Sequence, residues 1–260
     1  MGVVNVTPDS FSDGGRFLSR DAAVAHALRL AGEGAAILDI GGESTRPGAA
    51  PVSVEEELHR VIPVIEALSG RTAAVLSVDT SKPEVMRAAA VAGVGLINDV
   101  RALREPGALE AATATSCAVC LMHMQGEPRT MQIAPRYDDV VNEVKAFLAE
   151  RVHSCVAAGI AAGRIAIDPG FGFGKTVAHN LELLRRLPEL TSGSPPLLVG
   201  LSRKSMLKSL LGREPADRLH GSVALAVLAV LGGARIVRAH DVAATVDAIA
   251  TVMAVRERVE

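Results

Sequence analysis

Eight short apolar runs that alternate with helical patterns predict an α/β fold, a single (β/α)8 TIM barrel. Two further observations support it. The runs are continuously aliphatic and β-branched rather than alternating, as in parallel strands buried on both faces. Nearly every run also ends in a polar or charged residue, at the end of the strand where such a barrel keeps its active site. A chain of 260 residues suits one barrel, a fold that typically needs ~250. A doubly wound sheet would also give βα alternation.

The first strand, Gly2–Asn5, runs into the loop Asn5-Val-Thr-Pro-Asp-Ser-Phe-Ser-Asp-Gly-Gly15, and a helical pattern follows near Ala22–Ala31. The second strand, Ala36–Ile40, leads through the polar, Gly-bounded loop Glu43-Ser-Thr-Arg46-Pro-Gly48 to a helix over Val54–Leu68. Ser53 with Glu56 three residues on reads as a capping box at its start. Strand Ala74–Val78 precedes helix Pro83–Val91, which has Pro in its first turn. Strand Gly95–Asn98 pairs with helix Pro106–Thr115, strand Ala118–Met122 with helix Val140–Ala158, and strand Ile165–Asp168 with helix Asn180–Leu187. The last two units are Leu197–Gly200 with Ser222–Leu231, and Arg235–Arg238 with Val242–Arg256. Gly32, Gly34, Gly93, Gly95 and Gly159 follow helical segments, where a left-handed cap belongs. No linker or charge block interrupts the series, so one domain over residues 1–260 is expected.

Twenty-seven basic against 29 acidic side chains leave a net charge of −2. No chain-wide field is available to hold nucleic acid or an anionic membrane, and any anion must be bound locally. With five Phe, one Tyr and no Trp, stacking platforms for bases are not expected. Three cysteines, no apolar run of ~18 residues and no charged-then-apolar leader describe a reduced cytoplasmic protein. Cys117-Ala-Val-Cys120 has redox spacing, but on a strand positions i and i+3 face opposite sides, so both read as core residues.

The strand ends bring together residues that packing alone would not select: Asn5, Asp39, Asp79, Asn98, His123, Asp168, Ser202 with Lys204, and Arg238 with His240. A lone Asp or Asn after a strand is often only a turn residue; eight in register converge on one mouth. Asp79, Asn98 and Asp168 suit a neutral heterocycle with adjacent N–H donors and a carbonyl, because a carboxylate facing an amino-pyrimidine accepts two parallel hydrogen bonds. Arg238 and His240 project from one side of the end of the eighth strand, next to the loop where this fold binds phosphate. With Asn5 as an oxygen donor opposite, a Mg²⁺ ion bound mainly through substrate phosphates and water is expected. A dedicated cage of Cys or His is not, because the seven His are scattered. Gly174-Lys175-Thr176 imitates the end of an ATP phosphate loop, but position 169, where that loop needs Gly, is Pro. Asp168–Thr176 reads instead as a flexible loop whose backbone approaches a flat ligand, with Phe173 available to pack on its ring.

Taken together, NVTPDSFSDGG (5–15), DIGGESTRPGA (39–49), SVDTSKPEV (77–85), INDVR (97–101), LMHMQG (121–126), DPGFGFGK (168–175), GLSRKSM (200–206) and RAHDV (238–242) resemble the bacterial dihydropteroate synthase family. The resemblance implies condensation of 6-hydroxymethyl-7,8-dihydropterin pyrophosphate with p-aminobenzoate, by pyrophosphate departure and then aryl amine attack. It implies a pterin pocket of Asp39, Asp79, Asn98, Met122, Asp168, Phe173 and Lys204. Pyrophosphate would fall to Asn5, Arg46, Arg238 and His240, with Mg²⁺ at Asn5, so that Asn5, Arg46, Asp79, Lys204, Arg238 and His240 form the catalytic set. The p-aminobenzoate pocket would comprise Phe11, Thr45, Arg46, Pro47 and Ser202, with Lys204 beside it, formed as the first two loops close. The resemblance also implies a homodimer and sulfonamide sensitivity. One departure is a barrel lacking most of the family's usual N-terminal hairpin ahead of Met1, expected to leave apolar residues wet at the barrel bottom. Two other readings are a corrinoid-type methyltransferase, which has no need of the Phe11 and Ser44–Arg46 loops or of the Arg238/His240 pair, and a pterin-binding module without catalysis.

Overall fold

The computed structural model describes residues 1–7, 16–44, 50–127, 130–191, 193 and 195–256, with the side chains of 16–19 left aside. Its strands are β1 (Gly2–Asn5), β2 (Ile37–Gly41), β3 (Val75–Asp79), β4 (Leu96–Asp99), β5 (Ala118–Met122), β6 (Ile165–Asp168), β7 (Leu198–Val199) and β8 (Ile236–Val237). The helices are α1 (Arg16–Gly32), α2 (Val54–Leu68), α3 (Pro83–Ala92), α4 (Ala108–Thr113), α5 (Val140–Ala157), α6 (Val177–Arg185), α7 (Pro188–Thr191), α8 (Ser205–Leu211), α9 (Leu219–Leu231) and α10 (Val242–Arg256).

Strands β1 to β6 form one parallel sheet in chain order, and β7 pairs with β8. Backbone bonds join the two into a closed ring. Ile167 N–H donates to Pro196 O at 3.0 Å between β6 and β7, and Val3 N–H donates to Ala239 O at 3.1 Å between β1 and β8. The Met1 amine adds a bond to Val237 O at 2.9 Å. A doubly wound sheet is thereby excluded, since closure leaves no edge strand.

Successive residues along each strand face opposite ways. Leu96, Cys120, Ala166 and Leu198 point inward and, with Met1, Ile37, Ala118 and Ile236 around them, fill the lower barrel. The outward faces pack on the helices, in one large cluster under α1 to α5 and a second under α5 to α9. Burial of this aliphatic surface, worth roughly 25 cal/mol per Å², is the main stabilising term. At the lower end Val75 is 47% exposed and Ile37 and Ile236 are half-buried.

Local signals in the sequence are read out with some differences. Ser53 Oγ accepts from Glu56 N–H at 3.1 Å, but the Glu56 carboxylate turns to Arg60, so only half of the expected box forms. Left-handed backbone occurs at Gly34, Gly93 and Gly159, whereas Gly32 ends α1 and Gly95 leads into β4. Helices α7 and α8 were not foreseen; α8 starts at Lys204 without a side-chain cap, the signal that would have marked it. Cys117 bonds Val94 O through its thiol while Cys120 faces the barrel interior, and Cys117, Cys120 and Cys155 are buried free thiols.

Candidate active site

Above the apolar plug the inward positions turn polar. Asp39 on β2 is fully buried and accepts from Ser77 Oγ at 2.6 Å, Asn98 Nδ2 at 3.0 Å and Arg238 Nε at 2.6 Å. Arg238, just past β8, also donates to Asp79 Oδ2 at 3.0 Å. Three strand ends and the closing strand thus share one hydrogen-bonded ring, with Asp79 opposite Asn98 in register. Ser77 carried no functional reading in the sequence, although its position two residues before Asp79 puts it on the same face.

The ring holds more negative than positive charge, and this shows in its titration. Burial, with the Asp39 charge next to it, pushes Asp79 up to about 7, against the lowering influence of Arg238. Burial likewise pushes Asp168 up to about 6, opposed by the Gly170 N–H at 2.7 Å and by Lys204. Arg238 is raised: burial disfavours its charge, but Asp39 and Asp79 more than offset that. Lys204, half-buried, falls to about 8 because the mouth strips water from its ammonium. Its Nζ sits 4.2 Å from the centre of the Phe173 ring and makes no ion pair among the described residues.

Phe173 packs with Met122, Met124 and Met131 in a cluster touching Val100, which forms an apolar wall beside the polar ring. The loop that carries Phe173 is anchored rather than flexible. Lys175 Nζ donates to Gly170 O at 2.9 Å and Phe173 O at 3.0 Å and lies 2.9 Å from His123 Nδ1. Gly172 N–H donates to Asn180 Oδ1 at 2.8 Å. The glycines serve the protein's own backbone first. At Gly170, φ is +67° and a Cβ would stand 1.9 Å from His123 O; at Gly174, φ is +62° and a Cβ would stand 2.3 Å from Gln125 O. Beyond the loop Thr176 and His179 form the reciprocal capping box of α6. His123, although a strand end, faces Lys175 and the edge of Phe147 rather than the ring, and burial drives it down to about 3.

After β7, Ser202 Oγ lies 3.0 Å from His240 Nδ1 and accepts from His240 N–H at 3.2 Å. Burial and the charge of Arg238 hold His240 down at about 4, so the imidazole is neutral at pH 7. Arg203, passed over in the sequence, adopts φ +58° and pairs its guanidinium with both oxygens of Asp241. Asn5 ends β1, half-buried at the same rim. Phe11, Thr45, Arg46 and Pro47 lie outside the described residues. Asn5, Asp79, Asn98, Met122, Asp168, Phe173, Ser202, Lys204, Arg238 and His240 lie at or beyond the C-terminal ends of the strands, and Asp39 sits in the middle of β2, pointing into the same ring. Glu43 and Lys82, at the ends of β2 and β3, were also overlooked, because their pairing joins separate units.

The model of the pterin binding enzyme family matches residues 1–240. The chain belongs to the dihydropteroate synthase family of pterin-binding enzymes. It is 58% identical over 254 residues to dihydropteroate synthase of Escherichia coli K12, covering 98% of this chain and 90% of that one. Among solved structures, Xanthomonas albilineans dihydropteroate synthase with 4-aminobenzoic acid superposes at a TM-score of 0.94, with 60% identity over 99% of this chain and 92% of that one. Yersinia pestis dihydropteroate synthase with a sulfonamide drug gives 0.94 at 56% identity, covering 98% and 93%.

Proposed function

We propose that this chain condenses 6-hydroxymethyl-7,8-dihydropterin pyrophosphate with p-aminobenzoate, forming 7,8-dihydropteroate and pyrophosphate for folate synthesis. The observation that carries this reading is the ring of Asp39, Asp79, Asn98 and Arg238 with Asp168 nearby: buried acceptors and an amide at the mouth of a family barrel. The carboxylates accept from the pterin's amino and ring N–H groups, Asn98 supplies a donor and an acceptor, and Lys204 and Phe173 close over the ring.

The reaction follows from charge. The exocyclic C–O bond breaks and pyrophosphate leaves with the electron pair, while the electron-rich pterin shares the positive charge left on carbon. Arg238 supplies fixed positive charge beside the departing group, and His240, neutral when the site is empty, can take up charge as the anion arrives. The amine nitrogen then forms the C–N bond and sheds its proton. An aryl amine is already neutral at pH 7, so no strong general base is needed. Phe11, Thr45, Arg46, Pro47 and Ser202 are proposed for p-aminobenzoate, Arg46 also for pyrophosphate.

The donor set suits Mg²⁺ held largely by substrate. No group of three His, Cys, Asp or Glu able to hold a metal occurs among the described residues, and Asp39 and Asp79 are engaged by Arg238, which leaves the amide oxygen of Asn5 as the protein's contribution. When bound, the ion would neutralise charge on the leaving pyrophosphate. A cytoplasmic homodimer inhibited by sulfonamides completes the proposal; no described helix is long and apolar enough to cross a membrane. A steady-state assay with both substrates and Mg²⁺, with and without sulfamethoxazole, tests it. Dihydropteroate formation is expected, inhibited by sulfamethoxazole and restored by excess p-aminobenzoate, and absence of product would overturn the reading.

A further inference from the structure

Outside the ring a second group of charges has no role in the reaction. Glu57, in the first turn of α2, is fully buried beside apolar Val61, Val64 and Ile65. One of its oxygens bonds Lys82 Nζ; the other, Oε1, has no partner among the described residues. Lys82 also bonds Glu43, whose Oε1 accepts from Val52 N–H at 3.2 Å. Glu43 lies two residues past β2 and Val52 two residues before α2, so one ammonium holds both ends of the β2–α2 connection.

The same lysine is tied to the pterin side. Lys82 stands three residues past Asp79, its N–H donates to Thr80 Oγ1 at 3.2 Å, and Thr80 N–H donates to Asn98 O at 3.0 Å. Burying a carboxylate is costly, and an apolar residue at position 57 would pack as well. What the charged group adds is a fixed distance between two neighbouring strand ends.

We propose that Lys82, through Glu43, is a positioning residue that locks the β2–α2 connection to the strand bearing Asp79, and so presets the p-aminobenzoate side of the site relative to the pterin side. This rests on the proposed function for the p-aminobenzoate contacts at 45–47.

The test uses Glu43→Ala in the full chain, which leaves the Lys82–Glu57 pair intact. The KM for p-aminobenzoate should rise about tenfold, a loss of one well-placed contact. The KM for the pterin pyrophosphate should stay within about twofold and the melting temperature within about 2 °C. Lys82→Arg, whose guanidinium can still bridge two carboxylates, should hold the p-aminobenzoate KM within about threefold of wild type. Independently of turnover, amide hydrogen exchange at Val52 should quicken about tenfold in Glu43→Ala, since its acceptor is gone. Unchanged p-aminobenzoate KM, or equal rises for both substrates, would overturn the lock, as would unchanged exchange at Val52. An inactive wild-type chain would instead overturn the proposed function, with the exchange result still deciding the lock.

Discussion

Lys175 and Lys204 stand on neighbouring loops of the mouth, and they are used in opposite ways. Lys175 is 3% exposed and has four acceptors around its ammonium: two carbonyls of its own loop and both the ring Nδ1 and the carbonyl of His123. Lys204 has the Phe173 ring beneath it and no ion pair among the described residues, although Asp168 is close enough to influence its titration. Burial, with the Lys204 charge nearby and only partly offset by Asp168, brings Lys175 down to about 7, and its ammonium form is the one these acceptors fit. A charge whose partners are complete is scaffold; one left short of partners is poised for a ligand.

The largest test of that contrast falls on the scaffold side. Gly170→Ala places a Cβ 1.9 Å from a backbone oxygen, so the Lys175 loop must move; we expect a loss of about 4 kcal/mol or more in denaturant unfolding. Lys175→Met takes the donor from Phe173 O and from the His123 ring nitrogen, while Gly170 O keeps its bond from Phe173 N–H, and should cost about 3 kcal/mol in the same measurement. Lys204→Ala should do the reverse. Its kcat/KM should fall about 10- to 150-fold, or about 1.5–3 kcal/mol, with little change in melting temperature. Comparable stability losses in the two lysine variants would break the comparison.

Smaller effects sharpen it. Asp79, short of positive charge, takes up a proton near pH 7 in the empty site. Since pterin binding needs the carboxylate, kcat/KM for the pterin substrate should fall as pH drops below about 7, by up to tenfold per unit, and Asp79→Asn should abolish that limb. The sign for folding is opposite. With the folded value above the ordinary 3.8, the native chain holds a proton that the unfolded chain releases, so stability from this group declines as pH rises from about 4 toward 7. Asp99, one residue past Asn98 but facing outward, has Ser81 Oγ and the N–H groups of Arg101 and Leu103 as donors and belongs to the scaffold. Last, Ser53→Ala removes the cap of α2 and should cost about 1 kcal/mol in thermal unfolding.

Much of this was legible in the chain. All eight strands lie within one residue of their expected positions at either end, because a parallel strand buried on both faces leaves an unbroken aliphatic run. The polar strand ends named the mouth for the same reason: an acid or amide directly after such a run has few packing roles. Helix α8 was invisible because Lys204 caps it without a side-chain bond. The tightness of the Asp168–Thr176 loop was also hidden, since glycines that admit a ligand and glycines that admit another backbone look alike in sequence.

By itself the sequence determined the alternation of strands and helices and the choice of chemical groups at the mouth, because these depend on neighbours within a few residues. Only the tertiary structure decided which charges meet. Arg238 reaches Asp39 across 199 positions of chain, a pairing that exists only once β8 closes against β1. Ring closure alone determines that Asp39 is paired with Arg238, Asp79 left partly short of positive charge and Lys204 left without an ion pair among the described residues.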